Sequence, residues 1–134
     1  MENVQLSEQE LGDWVREQFQ LANKHLAQNG VVATTVVADE SRYLAPNVAV
    51  WKIKASDGRF FWVIGGKVPA DYILIDNAKT ARDAIRYFSM RWQLQAENIG
   101  HLNNLDDTQK RFAQTLVSGA EDLYELSVNE NLWQ

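Results

Sequence analysis

Apolar positions along this chain change their period several times, and each change marks an element. Between Ser7 and Asn29 they recur at helical spacing. Leu11, Trp14, Val15, Gln18, Phe19, Leu21, Ala22, His25 and Leu26 fall on one broad side, and Asp13, Arg16, Glu17, Gln20 and Lys24 on the other. Ser7 and Glu10 stand at capping-box spacing, which predicts the helix start, and Asn29-Gly30 predicts its end. From Val31 the pattern becomes the β-branched run "VVATTVVADE", read as a strand broken by Asp39, Glu40 and Ser41. In "NVAVWKIKA" Trp51 and Ile53 alternate with Lys52 and Lys54, so one side meets a core and the other meets water or the sheet rim. Ser56-Asp57-Gly58 makes a hairpin connection into "RFFWVI", and "DYILID" at 71–76 offers a short fourth strand.

Helical spacing then returns twice. Asn77 is the expected N-cap of a helix at 78–98 that Gly100 ends, with Ala78, Ala81, Ile85, Phe88, Trp92 and Ile99 as the stripe that faces a sheet. Asp106, Asp107 and Thr108 are expected to cap a third helix. Its spine is Phe112, Leu116, Ala120, Leu123 and Leu126, widened by Ala113, Val117 and Tyr124. The short connections between strands rule out parallel crossovers. The expectation is one α+β domain over residues 1–134: an N-terminal helix, a three- to four-stranded antiparallel meander, and two C-terminal helices packed on one face of the sheet.

The helix at 78–98 carries large apolar residues on two opposite sides. Tyr87, Met90 and Leu94 point away from the Phe88 and Trp92 stripe, with Arg86 on one flank and Arg91 on the other. Left in water, the three would expose roughly 400 Å² of apolar surface, as much as the largest patch on an ordinary monomer. Three covers are conceivable: another helix of the same chain, a two-fold copy of the protein, or a different protein. For the last two, Arg86, Tyr87, Met90, Arg91 and Leu94 are the interface candidates, because Tyr and Arg are enriched at interfaces.

Composition narrows the function classes. The chain has 134 residues, no cysteine and a formal charge of −5. Disulfides, thiolate metal sites and cysteine nucleophiles are therefore excluded, and a reducing compartment fits. No apolar run approaches the ~20 residues needed to cross a bilayer, and the first thirty residues lack the layout of a secretory signal, so a cytoplasmic protein without membrane contact is expected. Residues 42–91 carry nine Lys and Arg against four Asp, which leaves the flanks acidic. This pattern reads either as packed elements that complement one another or as a basic face for an acidic partner.

Few residues suggest chemistry. "WVIGGKVPA" superficially resembles a phosphate loop, but Phe61 stands where the earlier glycine should be, Val68 where a Ser or Thr should be, and Pro69 opposes a helix start. A tight turn is the better reading. His25 lies on the apolar side of the first helix, and His101 lies in the turn after Gly100. Neither has a partner at metal-ligand spacing, so no metal and no cofactor are expected. The mixed runs Arg59-Phe60-Phe61-Trp62 and Arg86-Tyr87-Phe88 have single-strand-binder composition, yet periodicity buries most of these rings, and nucleic-acid binding is not expected.

The segments "SRYLAPNVAVWKI", "FWVIGGKVPADYI" and "ARDAIRYFSMRWQLQAEN" resemble a small family of uncharacterised bacterial proteins known only as a domain of unknown function. The resemblance covers about residues 8–100. It implies a bacterial, cytosolic origin and supplies no activity, cofactor or catalytic residue. The leading reading is therefore a non-enzymatic association domain, a homodimer or partner binder acting through helix 78–98. The alternative is a small enzyme or small-molecule binder with a pocket between sheet and helices, with His25, Tyr43, Asp71 and Arg86 as its polar candidates.

Overall fold

The structure, a computed structural model, describes residues 6–44 and 47–134. It has the expected α+β order of helix, antiparallel sheet, helix, helix, and the chain divides into two compact units, Met1–Ala81 and Arg82–Gln134.

The first unit opens with α1 (Glu8–Gln28). Its capping box is formed: Glu10 N–H donates to Ser7 Oγ and Ser7 N–H donates to Glu10 Oε1. At its far end Val31 N–H donates to Leu26 O at 2.9 Å, while Gly30, at φ +78°, makes the left-handed turn out of the helix. Among the described residues five strands follow: β1 (Ala33–Val36), β2 (Arg42–Leu44), β3 (Val48–Ala55), β4 (Phe60–Gly66) and β5 (Asp71–Leu74). Sequence spacing accounts for four of them and misses β2, which is too short to show a period.

β1 and β2 pair with successive halves of the same edge of β3, with Val36 opposite Ile53 and Arg42 opposite Val50. They are one broken strand. The interruption is a 3-10 turn at Ala38–Glu40, and Ser41 repairs the ladder there: its hydroxyl accepts from Lys52 N–H at 3.0 Å and donates to Val37 O at 2.8 Å. β3, β4 and β5 then form the meander, with Trp51 opposite Val63 and Val63 opposite Tyr72.

Alternation sends Ala49, Trp51, Ile53, Ala55, Phe61 and Val63 to one face, where they cluster with Ala22, Leu26 and Val31 and with the half-buried Trp14, Val15 and Phe19. Edge-to-face contact between Phe19 and Trp51, 5.2 Å apart, ties α1 to β3. The other face carries Val48, Val50, Trp62, Ile64 and Ile73, which are buried as well. On that face the Trp62 indole N–H donates to Ala78 O at 2.9 Å. Lys52 is only half-buried there and Lys54 is exposed, as the alternation in "WKIK" anticipates.

The two glycines of the Gly-Gly-Lys stretch are not the expected tight turn: they end β4, opposite Ala49 and Val48, and the bend begins only at Lys67. Gly66 sits at φ +120°, and a Cβ on it would stand 2.3 Å from Asn47 O. Gly66→Ala is therefore expected to destabilise the protein by at least about 2 kcal/mol, read as a lower urea midpoint, because it combines backbone strain with a clash against main chain that cannot swing away.

The second unit comprises α2 (Ala81–Gly100) and α3 (Asp107–Val128), ending in a 3-10 turn at Glu130–Trp133. α2 begins three residues later than expected. Asn77 closes a 3-10 turn at Ile75–Asn77 by donating from Nδ2 to Leu74 O, and Ala78 is extended at φ −155°, so neither residue can start a helix. Along α2, Ala84, Ile85, Phe88, Ser89, Trp92 and Ala96 are buried.

Asp106 caps α3 as expected, in a capping box with Gln109. The buried stripe of α3 keeps Leu116, Ala120 and Leu123 of the expected spine and adds Gly119 and Ser127 in place of Phe112 and Leu126. Phe112, Val117 and Tyr124 are exposed. The reason is the close seam between the two helices, in which the Ser89 hydroxyl donates to Ala120 O at 2.8 Å. That approach needs small residues at the contact, and it rotates the large ones outward.

Candidate functional site

The outward side of the α2–α3 hairpin is built from two rows at helical spacing. On α2 the row is Arg86, Met90 and Leu94, flanked by Gln93 and Glu97; on α3 it is Gln114, Val117, Glu121 and Tyr124. A groove of about 680 Å³ runs along the hairpin, lined by Gln93, Ala96 and Glu97 of α2 and by Ala113, Val117 and Glu121 of α3. Met90 and Leu94 are 61% and 54% exposed, and Val117 and Tyr124 are 41% and 59% exposed. The first of the three conceivable covers, another helix of the same chain, thus leaves Met90 and Leu94 open. Tyr87 and Arg91 are half-buried, and exposed Arg86 holds a long 3.9 Å ion pair with Asp83.

One end of the hairpin is fastened by Arg82. Its Nε donates to Ser127 O at 2.7 Å, and its two terminal nitrogens reach the Glu130 carboxylate at 2.8 and 3.2 Å. Trp133 lies under the same guanidinium at 5.9 Å and donates from Nε1 to Leu126 O at 3.0 Å. The hydrogen bonds from Arg82, then its charge, hold the Glu130 carboxyl below the usual glutamate range.

A depressed native pKa stabilises the fold in full above the ordinary glutamate range and loses that contribution as pH falls through the depressed value. The thermal midpoint should therefore fall less steeply on acidification in Glu130→Gln than in the parent. Melts at about pH 6 and about pH 3 check this, and equal slopes would mean that the clasp is not felt.

The polar candidates occupy different places. His25 rests edge-to-face on Tyr72, with ring centroids 5.7 Å apart, and lines a cleft of about 280 Å³ beside Gln18, Leu21 and Gly65. Tyr43 lines a separate cleft of about 410 Å³ with Phe19 and Trp51. Asp71 is paired opposite Ile64, and its carboxylate accepts from Tyr72 N–H at 2.8 Å. His101 is exposed, 3.8 Å from Glu97. Among the described residues no His, Asp and Glu cluster could hold a metal ion, and no helix is long and apolar enough to cross a membrane.

Sequence spacing missed Ala96, Ala113, Gln18 and Gly65 as site residues. Their small size or burial shapes the clefts, and the available signal was the place of Gly65 on the inward side of an otherwise bulky strand.

Element order and sheet pairing define an α+β fold whose C-terminal helical hairpin bears an open groove. No curated protein and no solved structure matches the chain. The chain belongs to a family described as a domain of unknown function, DUF4826, whose model matches residues 8–133 and so includes the third helix that the sequence resemblance left out.

Proposed function

We propose that this domain works by association rather than catalysis, pairing with a second copy of itself through the outward side of the α2–α3 hairpin. The exposure of Met90 and Leu94 on α2 and of Val117 and Tyr124 on α3 carries this reading, because large apolar side chains left in water on one hairpin are what an interface covers. Charge supports a second copy as the occupant. The groove is rimmed by Glu97 and Glu121, and the α2 row that would enter it carries Arg86 next to Met90.

In a two-fold arrangement each copy supplies both halves: Met90 and Leu94 of one sit over Ala96 and Ala113 of the other, and Arg86 meets the acidic rim. Light scattering on the full chain across the micromolar range tests the pairing. A mass twice that of the chain is the expected result, and a monomer at every concentration overturns it.

A further inference from the structure

The cleft beside α1 has the features of a ligand site, and it is independent of the hairpin face. On the face toward α1, β4 reads Phe61, Val63, Gly65, so its floor drops where bulk ends, and Ala49 lies opposite Gly65 on β3. α1 crosses this low floor with two rows of residues. Gln18 and Ala22 are buried on the inner row with half-buried His25, while Leu21 and Lys24 are exposed on the rim. The cleft, partly open to solvent, holds about 280 Å³.

Gln18 is the unusual member. It is 8% exposed, and its Oε1 is buried without a hydrogen-bond partner, set over Gly65 at 3.7 Å from where a Cβ would stand. A buried acceptor left unpaired is costly, and such atoms in native folds call for a partner. No carboxylate lines the cleft among the described residues, whereas Lys24 stands on its rim. From Gln18 to Lys24 is six residues, about 9 Å along the helix.

We propose that this cleft binds a small organic anion: a carboxylate held at Lys24, an apolar body over Gly65 and Val68, and a hydroxyl or N–H at the opposite end that donates to Gln18 Oε1. A space of this size sets the ligand at about ten non-hydrogen atoms.

The test uses 4-hydroxybenzoate as probe and benzoate, which lacks the donor, as control, titrated into the ¹⁵N-labelled full chain and followed by amide shifts. The expected result is saturable shifts at Gln18, Lys24 and Gly65 with a Kd of about 1 mM or tighter, and binding of benzoate about fivefold weaker. Gln18→Leu should erase the difference between the two probes while leaving the ligand-free melting temperature unchanged or raised, since it removes an unpaired buried acceptor. A residue with a merely structural role would lower that temperature and leave probe selectivity intact.

Gly65→Ala adds a methyl at ordinary contact distance, so it should fold and yet weaken both probes. Lys24→Glu, on the exposed rim, should abolish binding of both. Absence of shifts up to about 10 mM probe overturns the proposal, as do shifts that persist unchanged in Gln18→Leu and Lys24→Glu.

Discussion

Met90→Glu should turn a dimer into a folded monomer. In the single chain Met90 is 61% exposed, so a carboxylate there remains hydrated and the substitution should change the stability of the isolated chain by no more than about 0.5 kcal/mol. In the proposed pair the same position lies over the partner's groove and faces the acids Glu97 and Glu121 that line it. Burying an uncompensated charge in such a contact costs several kcal/mol, so the dimer Kd should rise by at least about a hundredfold. Light scattering reads the mass and a thermal melt reads the fold. A variant that stays dimeric overturns the assignment of this face, and one that unfolds at the monomer level overturns the exposure on which it rests.

This face was legible in the sequence because a helix that needs one apolar side carries two. Phe88 and Trp92 on one side and Met90 and Leu94 on the other are two residues apart, and that offset on a 3.6-residue period places them on different faces. Periodicity could not say which cover the second side has, since that depends on where α3 lies. The spine was read in part: Leu116, Ala120 and Leu123 are buried as expected, but Phe112 is exposed, and the small Gly119 and Ser127, which periodicity passed over, complete the seam at which Ser89 reaches the α3 backbone.

The start of α2 was lost for a similar reason. Asn77 is a good cap by residue type, but its side chain is spent closing the preceding 3-10 turn. The cleft beside α1 was half legible. His25 was singled out from its helical position, but Gln18 read as one polar residue within an apolar stripe. Only the fold, which buries its oxygen without a hydrogen-bond partner, sets it apart.

The two sides of α2 also make opposite predictions for stability. Trp92 is 1% exposed, stacked at a tilt on Phe88 with ring centroids 6.0 Å apart. Trp92→Ala deletes a fully desolvated indole and leaves a cavity that neighbouring rings cannot fill without leaving their rotamers, so it should cost about 3–5 kcal/mol, a fall in thermal midpoint of about 10–20 °C. Leu94→Ala, two residues further along the same helix, removes atoms that are already in water in the single chain and should change monomer stability by less than about 0.5 kcal/mol. Urea unfolding measured below the dimer Kd gives both values. If Trp92→Ala cost less than about 1 kcal/mol, that indole would not belong to the core, and the two-sided reading of α2 would fail at its inner face.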